Sequence, residues 1–263
     1  MYKERLDSLF VRRKIASYRT VRNLLANHEV TVNGARVFSC GCPVRAGVDS
    51  IALDGRELEI PADIYLMMNK PRGFECSHVR HAYNTVFSLV DESLLHPEWL
   101  GTLHTVGRLD VDTEGLLLLT TDGAFSRRLT MPKYHVQKTY HVWLRDDVDE
   151  AERSRYAECC ARGIYLEADW NAPAAQTAPA QLRWLGKAAE CELVLDEGKF
   201  HEVKRIFRAL GNSVTALRRL SLGGLPLDPS LQPGQYRPLD GGELDRLVGA
   251  SAVHTNAPCG QIR

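Results

Sequence analysis

Between Gly107 and Gly123 a polar loop, Gly107-Arg108-Leu109-Asp110-Val111-Asp112-Thr113-Glu114-Gly115, runs without a break into Leu116-Leu117-Leu118-Leu119-Thr120. No other stretch restricts the fold as much. The leucine run reads as an apolar strand. The glycine-bounded loop at its start fixes a carboxylate, Asp110, between apolar Leu109 and Val111 at a strand edge, where a substrate could reach it. The plainer reading is a surface turn with Asp110 and Asp112 as turn formers, and composition alone favours it.

Other elements fall into place around this strand. Ile64–Asn69 is a buried strand candidate, stopped by Lys70-Pro71-Arg72-Gly73. Further strands are predicted at Leu116–Thr120, Thr139–Leu144, Gln181–Leu185, Glu190–Leu195 and Val214–Leu222. Helices are predicted from Asp122, as cap, to Met131, within Asp149–Arg162, from Glu202 to Leu210 with Gly211 as its stop, and from Glu243 to Val248. Strands and helices alternate without regular βαβ spacing. The expectation is an α+β fold whose larger part is a mixed, largely antiparallel sheet with helices packed on it.

The N-terminal part has a different grain. Leu6, Leu9 and Phe10 lie at i, i+3, i+4, a short amphipathic helix ending in Arg12, Arg13 and Lys14. Ser17 can cap a second helix with Val21, Leu24 and Leu25 inward and Arg19 and Arg22 outward. Val30–Val32 and Ala35–Val37 flank Asn33-Gly34, a tight-hairpin signal, and Asp54-Gly55 marks another turn. Pro61-Ala62-Asp63 reads as a linker. The expected division is 1–61, 62–249, and a loose polar tail at 250–263.

Charge supports a polyanionic partner only when counted locally. The 263 residues hold 33 Lys+Arg against 33 Asp+Glu. Yet residues 1–36 hold eight basic side chains against three acids, and residues 199–219 hold six against Glu202 alone. Between Gly123 and Arg145 there are five basic residues and no acid. An acidic stretch from Asp146 to Asp169 restores the balance. Such segregation fits a nucleic-acid binder better than the neutral total does. Each window alone reads equally as a solvated helix face. Seven cysteines at irregular spacing read as reduced thiols; Cys40-Gly41-Cys42 could be half a zinc site, but no second pair follows at ligand spacing. Apolar runs are far shorter than a membrane span and the start lacks a signal peptide's apolar stretch, so the expectation is a cytoplasmic protein with no membrane association. No coiled coil is visible, which leaves a monomer as the expectation.

Several of these pieces resemble known families. Arg5-Leu6-Asp7 and Val30-Thr31-Val32-Asn33-Gly34, within two helices and a hairpin, resemble the S-four type RNA-binding domain over about residues 2–60. Gly107-Arg108-Leu109-Asp110, with Thr113, Gly115 and the leucine run, resembles the catalytic motif of the ribosomal small-subunit (RsuA-like) pseudouridine synthases. Three further pieces stand in that family's order: Asn69-Lys70-Pro71 with Gly73, Lys138-Thr139-Tyr140, and Gly198-Lys199-Phe200-His201-Glu202-Val203-Lys204-Arg205-Ile206-Phe207. The resemblance covers about residues 2–248.

It implies a pseudouridine synthase fold behind the S-four module and isomerisation of a uridine in ribosomal RNA, with no cofactor and no metal. Asp110 would be the essential carboxylate, acting on the sugar, on the ring, or first on a sugar proton. Tyr140 would stack on the uracil. Lys204 would pair with Asp110, keeping it charged and oriented. Arg108 would help hold the target nucleotide out of the helix. Arg5, Arg12, Arg13, Lys14, Arg19, Arg22, Lys70, Lys138 and Arg205 would contact RNA. The residues alone read more blandly: Tyr140 as strand core, Lys204 and Arg205 as solvated helix positions, Lys70 as a loop charge, although Lys-Pro-Arg-Gly at the end of a buried strand suits a phosphate-facing turn, and His201 as a structural or phosphate-contacting group at a helix start.

The expected substrate is 16S ribosomal RNA, in a partly assembled subunit. The alternatives are a 23S-directed synthase of the same family and a catalytically silent assembly factor. A glycosidase built on Asp110 and Asp112 is disfavoured, since two residues apart on one loop is no evidence of facing carboxylates. Glu114 stands where many relatives carry Ser or another small residue, and Glu202 where many carry Gln. Leu166–Gln176 fits the family pattern least well.

Overall fold

The computed structural model describes residues 3–91 and 103–252, with the last two as backbone only. The chain divides into two compact units, the first reaching Ile64 and the second starting at Tyr65.

In the first unit, α1 (Leu6–Arg12) and α2 (Val21–Asn27) precede a four-stranded sheet. Its strands are β1 (Val30–Val32), β2 (Ala35–Arg36), β3 (Ile51–Leu53) and β4 (Arg56–Glu57), ordered β2-β1-β3-β4. Leu6, Leu9 and Phe10 are buried with Val21, Leu25, Val30, Val44 and Ile51, as their helical and strand spacing requires. Asn33 and Gly34 take φ of 53° and 79°, the positive pair of a tight hairpin. Ser17 caps the turn that leads into α2 rather than α2 itself, its Oγ accepting the Thr20 N–H at 3.3 Å while Thr20 Oγ1 accepts the Ser17 N–H at 2.9 Å. The helix starts later, after Thr20, and the Ser17 carbonyl accepts the N–H groups of Thr20 and Val21 at 3.0 and 2.9 Å. Pro61–Asp63 is no free linker either: Asp63 accepts Arg12 at 2.6 and 2.8 Å and Arg13 at 3.4 Å, which fastens it to the first unit.

The second unit contains β5 (Tyr65–Lys70), β6 (His104–Thr105), β7 (Thr113–Thr120), α3 (Gly123–Thr130), β8 (Lys138–Leu144) and α4 (Glu150–Arg162). After these come β9 (Gln181–Trp184), β10 (Glu190–Leu195), α5 (Glu202–Ala209), β11 (Val214–Leu222), β12 (Leu225–Pro226), β13 (Tyr236–Pro238) and α6 (Gly241–Ala252). The strands form one nine-stranded sheet in the order β9-β10-β8-β11-β7-β5-β13, with β6 on β7 and β12 on β11. Neighbours are antiparallel except β7 and β11, which run parallel. This is the mixed, largely antiparallel α+β architecture expected from the pattern.

One face of the sheet carries Met67, Leu116, Leu118 and Leu222, packed in one cluster with Phe125 and Leu129 of α3 and Leu244 and Leu247 of α6. Asp122 caps α3 by accepting the N–H groups of Ala124 and Phe125 at 2.9 and 3.1 Å. It also accepts the Tyr65 hydroxyl at 2.9 Å, joining the cap to β5. Strand β7 begins three residues before the leucine run, because Thr113, Glu114 and Gly115 pair by backbone with Leu217, Arg218 and Arg219 and need no apolar side chain. Helix α6 continues to Ala252, past the expected end at Val248 and into the segment expected to be tail. The rest of that tail, from residue 253, lies outside the described residues.

Candidate active site

The Asp110 loop is fixed from beneath by a lysine. The Lys70 side chain is fully buried at the end of β5, and its ammonium donates to the carbonyls of Thr113 (2.8 Å), Asp110 (3.0 Å), Pro71 (3.1 Å) and Val111 (3.4 Å). The Gly73 N–H also donates to Val111 O at 2.8 Å, and Thr113 N–H closes a turn on Asp110 O at 3.1 Å. Leu109 is buried, so the loop backbone is held on both sides while the Asp110 carboxylate remains 30% exposed. Burial pushes the Lys70 pKa down to about 8. Lys70 is therefore not a phosphate-facing charge, as its place after a strand suggested, but the support of the loop that carries Asp110.

Helix α5 brings the partner. Val203, Ile206 and Phe207 turn inward, and Lys204 reaches across to Asp110 Oδ2 at 2.7 Å and Asp112 Oδ1 at 2.6 Å. Burial alone would lower the Lys204 pKa, but the two carboxylates outweigh it and raise it. His201, left-handed at φ 49° just before α5, places Nε2 3.6 Å from Asp110 Oδ1 and stacks on Phe200. The pairing of Asp110 with Lys204 is thus present, and His201 joins it.

Tyr140 belongs to a row across the sheet. Lys70 opposes Gly115, Gly115 opposes Arg219, and Arg219 opposes Tyr140, across β5, β7, β11 and β8. Opposed residues share a face. Gly115 takes φ of 101°, and a Cβ there would lie 2.3 Å from the Arg219 carbonyl oxygen, so only glycine lets β11 close on β7. Tyr140 is buried, two strands from the one that the Asp110 loop enters. Arg219 is 2% exposed, donates from Nε to Leu116 O at 2.8 Å, and leaves Nη2 without an acceptor among the described residues. Sequence reading counted Arg219 only as part of a basic window. The signal that could have found it is strand alternation, which puts it on the same inward side as Leu217.

The remaining predicted contacts divide sharply. Lys14, Arg19, Arg22 and Arg108 are exposed, and Arg5 is 62% exposed although it pairs with Asp7 at 2.6 Å. Arg12 and Arg13 are mostly covered, spent on Asp63, with Arg12 also on Glu4 and Arg13 on the Pro61 carbonyl. Arg205 is buried and donates to the carbonyls of Glu167 (2.6 Å) and Pro173 (3.0 Å). It fastens to α5 the short ribbon Tyr165–Leu166 with Ala175–Gln176, in the segment that sequence matched least well. Lys138 donates to Val136 O at 2.7 Å, and burial, with Arg219 nearby, pushes its pKa down to about 8. These four cations were expected at a phosphate surface; a sequence shows charge but not depth. Among the described residues no three His, Cys, Asp or Glu side chains gather as a metal ion would require.

Comparison with known proteins adds a family context. Residues 64–209 match the family described as RNA pseudouridylate synthase. The ribosomal small subunit pseudouridine synthase A of Pasteurella multocida is 39% identical over 241 residues, covering 91% of this chain and 97% of that protein. Its counterpart in Vibrio vulnificus is 41% identical over 245 residues, covering 92% and 99%. A crystal structure of a pseudouridylate synthase aligns with a TM-score of 0.64 at 38% identity, over 93% of this chain and 99% of the other.

Proposed function

The chain belongs to the RsuA-like family of ribosomal small-subunit pseudouridine synthases, and on that footing we propose that it isomerises one uridine of 16S ribosomal RNA, with Asp110 as the essential catalytic residue. The observation that carries this reading is the carboxylate of Asp110, presented on a loop with a buried support and held by the Lys204 ammonium at 2.7 Å. An RNA-binding surface alone has no use for an acid so placed, because a carboxylate repels phosphate.

The reaction breaks the bond from sugar C1′ to uracil N1 and makes one from C1′ to C5, while the proton on C5 is exchanged for one on N1. No atom is gained or lost. Asp110 makes the first move on the nucleotide, as nucleophile or as base, and Lys204 fixes which carboxylate oxygen faces it. Tyr140 stacks on the uracil while it turns. Arg108, exposed beside the loop, occupies the place of the extruded nucleotide. The bases of a stacked helix are otherwise out of reach. The substrate is the RNA of a partly assembled subunit, whose target uridine is still accessible.

The test is Asp110→Asn. Pseudouridine formation, mapped chemically on 16S RNA and on partly assembled subunits, is expected to fall by at least about a thousandfold, with RNA affinity within about threefold of the parent. Activity close to the parent's would remove Asp110 from the mechanism. Modification of 23S RNA instead of 16S would redirect the substrate.

A further inference from the structure

Glu202, the first residue of α5, has a side chain only 3% exposed. Its Oε2 accepts the Lys199 N–H at 2.8 Å. Its Oε1 is buried and receives no hydrogen bond from an ordinary donor among the described residues, with the Lys199 ammonium 3.9 Å away and engaged on Glu197. The group beside it is another acid, Glu197, in side-chain hydrogen-bond contact and anchored by the Ala178 N–H at 2.7 Å. Two carboxyl groups in contact and away from water cannot both stay charged. A proton on Glu202 solves the problem, since it converts an orphaned acceptor into a donor to Glu197.

We infer that Glu202 and Glu197 share one proton, and that this proton positions Lys204, and through it Asp110, by holding the first turn of α5 in place. Glu202 precedes Lys204 by two residues and follows His201 directly, and both of those reach Asp110. When the proton leaves, a second negative charge stands against Glu197. The side chain then swings outward, the bond to the Lys199 N–H is lost, and the turn that aims Lys204 loosens. Glu202 acts through Lys204 and is a positioning residue.

The surrounding charges agree with this assignment. Burial, reinforced by Glu197, pushes the Glu202 pKa up to about 7. Burial also works on Glu197, but hydrogen bonds from Glu202, Lys199 and Ala178 outweigh it and lower its pKa. Facing the pair are Lys199 on the same connection and Lys138 on β8, itself near Arg219 on β11 and Asp196. Lys138 is therefore the other group able to titrate nearby.

The inference rests on the Asp110 reading for its activity readout, but the proton can be observed without catalysis. Infrared difference spectra of the full chain should show the carbonyl stretch of a protonated carboxyl at about pH 6, lost by about pH 8.5. It should be missing in Glu202→Gln and in Glu197→Gln. Relative to its own rate at about pH 6.5, the wild type should lose pseudouridine-forming activity about tenfold or more by about pH 8.5. Glu202→Gln, whose amide donates to Glu197 at every pH, should lose less than about twofold over the same range. Superimposable pH profiles for wild type and Glu202→Gln would overturn the inference and assign the fall to Lys138 or to Lys70 beneath the Asp110 loop. So would active enzyme with no protonated carboxyl at about pH 6. A carboxyl band with no pseudouridine formed at any pH would overturn the Asp110 reading instead and leave the shared proton standing.

Discussion

A buried ammonium with no carboxylate ion-paired to it among the described residues is rare, and Lys70 is tolerated because its N–H groups converge on four carbonyl oxygens. Three of these belong to the loop of Asp110, so the lysine replaces the hydrogen bonds that a tight loop cannot make to itself. Lys70→Met keeps the volume and removes the donors. It is expected to destabilise the protein by about 2–4 kcal/mol and to lower pseudouridine formation by at least about a hundredfold. The salt dependence of RNA binding should stay as it is. A shallower slope would mean that Lys70 meets a phosphate after all. Here sequence and structure part company for a physical reason. A resemblance can place a lysine next to a proline and a glycine, but whether it points to RNA or to carbonyls depends on two strands meeting 40 residues apart in the chain. The pairing of Asp110 with Lys204 was legible because both residues stand in ordered motifs; Arg219 was not, since only its inward register on β11 separates it from Arg218.

Elements were more legible than side-chain destinations. The leucine run, the Asp122 cap and the helix α5 stopped before Gly211 each follow from short-range pattern, and each forms where expected. What pattern could not give was the parallel pairing of β7 with β11, a long-range contact that depends on Gly115 having no side chain. The start of α5 shows how an element can be tuned by one residue. Glu202 has a folded pKa near 7, above the ordinary 4.5 of a free glutamate. Between those values the unfolded chain binds fewer protons than the folded one, so stability is lost as pH rises from about 4.5 to about 7. The lowered pKa of Glu197 acts in the opposite sense and offsets part of the loss. Denaturant unfolding at about pH 5 and pH 8 should therefore find Glu202→Gln gaining on the wild type by about 2 kcal/mol at the higher pH. An equal difference at both pH values would mean that Glu202 does not hold a proton in the fold.

For the whole molecule, a formal charge of zero conceals two populations of cations. Arg12, Arg13, Lys70, Lys138, Arg205 and Arg219 are committed to the interior of their own unit, on carboxylates or carbonyls. Lys14, Arg19, Arg22 and Arg108 stand in water and can exchange counterions for phosphates. The second population, and not the first, is expected to set how RNA binding depends on salt. The double variant Arg19→Ala/Arg22→Ala is expected to keep its melting temperature but bind ribosomal RNA more weakly. Its log-log salt slope should be shallower by about 1.4–1.8, the release expected from two phosphate contacts. Arg12→Ala removes a cation from the same segment and is expected to do the reverse. It removes the Arg12 side of the ion pairs that Glu4 and Asp63 make, Asp63 keeping Arg13 at 3.4 Å, costing about 2–4 kcal/mol of stability, while the slope at a temperature where it stays folded is unchanged. Binding isotherms at four or five salt concentrations, with thermal melts of the same samples, separate the two outcomes. If Arg12→Ala flattens the slope and the double variant does not, the RNA face of the first unit lies on the side of α1 that carries Arg12, and the division between interior and exposed cations fails.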